Sequence, residues 1–110
     1  MTAIVSVYAV FGSDEEARRI GRAMVEERLA ACVNILGPCH SIYRWQGRIE
    51  EGDEVAALFK TADARAGALI ARIAELHDYD VPAAVAWPVG EVHGPYAEWV
   101  ASETAAPSED

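Results

Sequence analysis

The stretch from Ser41 to Thr61 constrains the chain most, because its second half is apolar on both sides of a strand. Up to Ile49 the residues alternate: Tyr43, Trp45 and Ile49 fall on one side, Arg44, Gln46, Arg48 and Glu50 on the other. A period of two is that of a strand with one packed and one wet face. Glu51-Gly52-Asp53 supplies turn chemistry, and Glu54 to Thr61 reads as the returning strand. There Val55, Ala57 and Phe59 share one face while Ala56 and Leu58 share the other. A strand apolar on both faces is covered on both, so the rest of the chain must find two covers.

With 110 residues the chain makes one domain. Its net charge of −9 argues against nucleic acid or an anionic membrane surface as partner. No apolar stretch is long enough to span a bilayer. Ala3 to Phe11 lacks a basic residue ahead of it and runs into a capped helix, so it reads as a buried first strand, with the cytoplasm as expected compartment. Cys32 and Cys39, the two cysteines, are not spaced as CxxC or as a zinc ribbon, which predicts reduced thiols.

In chain order, Ile4 to Phe11 forms the first strand. Ser13 with Glu16 three residues on is a capping box, opening a helix whose apolar stripe runs from Ala17 to Leu29. Ala30 to Leu36 predicts a strand that Gly37-Pro38 breaks, and the hairpin follows. Thr61 to Asp63 offers caps for a second helix with Ala66, Leu69, Ile70, Ile73 and Leu76 buried, ending near His77-Asp78. Ala83 to Val89 is a further strand, with Pro88 marking an edge or an end. Gly94-Pro95 begins a short helix bearing Tyr96, Trp99 and Val100. From Ala101 the chain is expected to fray, giving a domain over 1–103 and an acidic disordered tail over 104–110.

This order, β-α-β-β-α-β plus a terminal helix, predicts an α+β, ferredoxin-like fold. Two helices cover one face of its antiparallel sheet. The other face is apolar as well, which predicts burial against another subunit.

Several stretches together resemble the CutA family of divalent-cation tolerance proteins. They are Val25-Glu26-Glu27-Arg28-Leu29-Ala30-Ala31-Cys32-Val33-Asn34, Ser41-Ile42-Tyr43-Arg44-Trp45-Gln46-Gly47-Arg48-Ile49, Lys60-Thr61, Glu75-Leu76-His77-Asp78-Tyr79-Asp80-Val81-Pro82, and Tyr96 with Trp99. The resemblance covers residues 3 to 100. It implies a homotrimer similar to PII signalling proteins, with a long central hairpin that reaches a neighbour. It further implies a role in tolerance of copper or another divalent cation through metal binding, without enzymatic activity.

The metal candidates are His77, Cys32 and Asp80. Cys32 offers a soft ligand suited to copper, or is a small buried hydrophobe in a strand. His77 matches the family's His-Pro-Tyr motif and offers an imidazole, with Tyr79 and Asp80 near in sequence; alternatively it bonds the last carbonyls of its helix. The chain departs from the family pattern here: Asp78 replaces a usual Pro, Asp80 a usual Glu, and Ala83 a common second Glu. A family copper site also uses a first-strand Cys, absent from Val7 to Val10, and a second His where Leu76 stands, so direct carry-over keeps only His77. Cys39 and His40 are expected in a solvent-facing loop, and His93 in another.

Tyr43, Trp45, Glu54, Lys60 and Tyr79 form a second constellation. Beside a subunit boundary they suit a small anionic or planar ligand, or Tyr43 and Trp45 are interface anchors. Walker, GxGxxG, HExxH and Ser-His-Asp patterns are lacking, which predicts a non-enzyme. A PII-like sensor binding a metabolite at an inter-subunit cleft is the alternative function, and an assembly module with an unidentified protein partner a third.

Overall fold

A computed structural model describes residues 3–106. The elements run β1 (Ile4–Phe11), α1 (Asp14–Glu26), β2 (Cys32–Trp45), β3 (Arg48–Ala62), α2 (Ala66–Leu76), β4 (Ala84–Pro88) and α3 (Gly94–Glu103), with a 3-10 turn over Asp63–Arg65 before α2. The four strands form one antiparallel sheet in the order β2-β3-β1-β4. This is the expected α+β, ferredoxin-like arrangement. β1 takes the interior because its run of apolar residues can be covered on both sides. Pro88 ends β4 at one edge, where its missing N–H costs no ladder bond.

The hairpin differs from the expectation in three ways. First, it turns at Gln46-Gly47, not at Glu51-Gly52-Asp53: Trp45 pairs with Arg48, leaving a two-residue loop. Gln46 and Gly47 have φ of 49° and 78°. Two consecutive positive φ values twist the loop in the same sense as the strands it joins. Second, Ile49 therefore lies opposite Arg44 and on its face, while Tyr43 and Trp45 share theirs with Glu50 and Arg48. Third, Gly37-Pro38 does not break the strand. Leu36 is bulged out between the Ile35–Ala57 and Gly37–Ala56 pairs, with Gly37 at φ 102°. A glycine in that conformation lets the ladder resume after one extra residue. Pro38 is tolerated because β2 is an edge strand. Cys39 and His40 are thus strand residues, not loop residues.

α1 opens as predicted, with the Glu16 amide donating to Ser13 Oγ at 3.1 Å. It closes three residues before Leu29. Arg28 takes φ 61°, and the Arg28, Leu29 and Ala30 amides return to the carbonyls of Val25 and Met24. α2 has no side-chain cap: Thr61 stays in β3 with its hydroxyl buried and unpartnered, and the 3-10 turn makes the entry. α3 runs on through Ala101, Ser102 and Glu103, where fraying was expected. Thr104 is buried, its Oγ1 donating to the Val100 carbonyl at 2.8 Å. Residues 107–110 of the expected tail lie outside the described residues.

The main core lies between the sheet and α1 with α2. Val5, Val7, Phe11, Ala57 and Phe59 meet Ile20, Met24, Leu69 and Ile73 there. A smaller cluster of Ile4, Ala31, Ala97 and Val100 seats α3. The pairing puts Tyr8, Leu58, Val85 and Trp87 on the sheet face turned away from α1 and α2. Val85 and Trp87 remain 49% and 48% exposed in the single chain. The hairpin beyond Ala56 projects past both helices, and the molecule measures 49 × 31 × 23 Å.

Candidate functional site

The exit of α2 is built on Glu16 and His77. Glu16 is buried at the start of α1, where its Oε1 accepts from the Gly12 amide at 2.9 Å and its Oε2 from the Asp78 amide at 2.8 Å. Burial alone would push this carboxyl up, but the two amides, from Asp78 and Gly12, together with the nearby His77, outweigh it and hold the group below its usual 4.5. Glu16 therefore ties the loop before α1 to the loop after α2. Its place in a capping box was legible; its reach to Asp78 was not, because that contact spans 62 residues.

His77 follows α2 with an extended backbone, its amide closing the helix on the Ile73 carbonyl. Its ring does not cap that helix. Nε2 lies 2.8 Å from the Val10 carbonyl, and Nδ1 lies 3.1 Å from the Tyr79 amide. A carbonyl only accepts and an amide N–H only donates, so Nε2 carries the proton and Nδ1 takes the bond. The ring stacks on Phe11, with centroids 5.1 Å apart. Both nitrogens are thereby engaged, and the side chain is fully buried.

These bonds place Tyr79 across from the hairpin. Its hydroxyl donates to Glu54 Oε2 at 2.9 Å. Partial burial first, then that bond and the neighbouring carboxylates, push the phenol up to about 12, so it stays a neutral donor. Between the 77–83 segment and the base of the hairpin lies a cleft of about 620 Å³. Tyr43, Trp45, Glu54, Tyr79 and Asp80 all line it, with Val10, Ser41, Asp78, Val81 and Ala83. Four of the five expected ligand residues are thus brought together. Lys60 is not: it pairs with Ser6 and Cys32 four residues beyond Ala56 along β3, and the cleft lining holds no basic side chain.

The three metal candidates do not converge. Cys32 lies at the α3 end, its Sγ 3.3 Å from the Tyr96 hydroxyl. Burial, then that thiol, push Tyr96 up to about 12. His77 sits under the cleft and Asp80 on its rim. Among the described residues no three His, Cys, Asp or Glu side chains are grouped to hold a metal ion. His40 bridges two carboxylates on β3, with Nδ1 3.0 Å from Asp53 and Nε2 2.8 Å from Glu51. Those two bonds, to Asp53 first and then Glu51, raise its pKa above the usual 6.5. Cys39 faces Glu54 across the ladder, and His93 precedes α3, its carbonyl accepting from the Tyr96 and Ala97 amides.

A βαββαβ layer with helices on one face, a projecting hairpin and a cleft at its base defines the class: a small ferredoxin-like α+β domain. The family model for "CutA1 divalent ion tolerance protein" matches residues 5–103. The chain is 47% identical over 92 residues to the divalent-cation tolerance protein CutA of Thermus thermophilus, covering 84% of this chain and 89% of that one. It is 37% identical over 106 residues to human protein CutA, covering 96% of this chain and 59% of the human one. Among solved structures, the Thermus thermophilus Cut A1 protein superposes with a TM-score of 0.89 at 43% identity, over 93% of this chain and 99% of that one. The Oryza sativa CutA1 structure superposes with a TM-score of 0.91 at 30% identity, over 96% and 97%. The chain belongs to the CutA1 divalent ion tolerance family.

Proposed function

We propose that the chain works as a homotrimer in divalent-cation tolerance, binding cations, copper among them, at sites completed between subunits. The observation that carries this reading is the uncovered sheet face. Leaving Tyr8, Leu58, Val85 and Trp87 to water forfeits roughly 25 cal/mol for each Å² of apolar area, and a second copy is the nearest cover. The names of the relatives speak of tolerance rather than a reaction, in keeping with binding without catalysis. No helix among the described residues is long and apolar enough to cross a membrane. Two free cysteines support a reducing compartment, the cytoplasm, although one solved relative, from Archaeoglobus fulgidus, is described as periplasmic.

For the metal, Cys32 and Asp80 have ligand atoms to offer, and His77 joins them only by giving up the Tyr79 amide or the Val10 carbonyl. Sedimentation of the metal-stripped protein at micromolar concentration should show three chains per particle. Copper titration should then saturate, with Cys32→Ala and Asp80→Asn weakening it more than His77→Gln. A monomer would end the assembly reading, and titrations identical for wild type and all three variants would end the site assignment.

The cleft itself favours a second reading, a PII-like sensor for a small ligand. Four expected ligand residues meet in a hollow within the usual volume range for small molecules. A thermal-shift panel of nucleotides, organic anions and organic cations tests it, since a ligand at 100 times its dissociation constant adds about 2.7 kcal/mol.

A further inference from the structure

Resting on the reading of the cleft as a ligand site, we propose that its occupant is an organic ammonium ion rather than an anion or a bare metal ion. Three observations carry this. The lining is acidic, with Glu54, Asp78 and Asp80 present and no Lys, Arg or His. Of these, among the described residues, only Asp78 has a basic neighbour, Arg19 at 3.8 Å; Glu54 is bonded by the uncharged Tyr79. An anion entering there would meet like charge at every charged wall, and Lys60, the cation that would have welcomed one, stands outside.

Nor does a single chain by itself hold a bare metal ion in the cleft. Such an ion needs several oxygens within about 2.0 to 2.6 Å of one point, and the described residues offer no such grouping. The hollow of about 620 Å³ has room for an organic ligand and far more than one ion requires.

The remaining walls are aromatic and aliphatic. Tyr43 and Trp45 are neighbours on one face of β2, Tyr79 stands across from them, and Val10, Val81 and Ala83 complete the surface. Half-exposed aromatic rings beside carboxylates bind a diffuse positive charge by ring electrostatics, with alkyl groups packed on the apolar walls. An alkylated ammonium offers both, and is dehydrated more easily than a compact inorganic cation.

Full-length, metal-stripped protein is titrated with tetramethylammonium while the Trp45 indole N–H is followed by NMR, with sedimentation run on the same sample. A saturable shift is expected, absent with sodium chloride at equal ionic strength and with the neutral isostere 2,2-dimethylpropanol. Glu54→Gln, Asp80→Asn and Tyr43→Leu should each weaken it several-fold, up to about tenfold for the aromatic. No saturation, an equal response to the neutral isostere, or indifference to all three variants overturns the proposal. Binding of an organic anion from the thermal-shift panel without ammonium binding overturns it alone and leaves the cleft as a ligand site. Failure of every compound removes the ligand-site reading too, while a trimer in the sedimentation run still stands.

Discussion

The helix-covered body and the projecting hairpin are made of similar residues and live by different rules. In the body, Phe11, Phe59, Ile20, Met24, Leu69 and Ile73 are fully buried within one chain. On the hairpin, Ile42 and Ile49 are 66% and 60% exposed, on the face that would continue the core if the helices were longer. The ladder of β2 with β3 is unbroken there apart from the Leu36 bulge, so backbone bonding alone extends the hairpin. Apolar side chains held out on a regular ladder gain nothing from water. In the proposed trimer a neighbour would cover them, while the body buries its own.

Substitutions sharpen that contrast. Phe59→Ala should cost about 3–5 kcal/mol in chemical unfolding, because it opens a cavity where sheet and helices meet. A loss below 1 kcal/mol would show that the body also leans on other subunits. Glu16→Gln should cost about 1–3 kcal/mol, since one amide oxygen cannot serve both the Gly12 and Asp78 amides as a carboxylate does. The Glu16 carboxyl is held below its usual 4.5 in the fold. Its contribution is therefore complete above that pH and lost as pH falls through the lowered value. Wild-type stability should fall more steeply in acid than that of the variant, and parallel pH profiles would contradict the assignment.

Ile42→Asp together with Ile49→Lys should change the chain's own unfolding by no more than about 0.5 kcal/mol, yet weaken assembly in sedimentation. If both quantities stay put, the hairpin needs no neighbour. The smallest effect concerns His40. Its two carboxylate partners raise its pKa, so the clamp is intact below pH 6.5 and loosens as pH rises through the higher folded value. An NMR titration should place the His40 midpoint above 6.5, and Asp53→Asn should bring it down; an unmoved midpoint would remove the clamp.

Much of the body was legible in the chain because its signals are local and periodic. Ser13 and Glu16 marked the start of α1, the stripe through Leu69 and Ile73 marked α2, and Pro95 marked α3. The hairpin was legible as a hairpin but not in its register. Glu51-Gly52-Asp53 is the stronger turn composition, while Gln46-Gly47 won because two positive φ values fit the strand twist and let fifteen residues of β3 pair without a break. Tyr43, Trp45, Glu54 and Tyr79 could be named as candidates from their types, and they line one cleft. Lys60 shares a strand face with Glu54 and stands apart from them only by its distance along β3, six residues further on beside Ser6 and Cys32.

Residue order by itself determined the elements, their succession and the presence of one apolar face too many, since periodicity and capping act within a few residues along the chain. Only the folded arrangement decided that both His77 nitrogens are occupied, that Glu16 reaches Asp78, and that the cleft is acidic and aromatic without a basic wall. Those facts rest on groups far apart in sequence, and a hydrogen bond or a shared wall forms only once the sheet has set their positions.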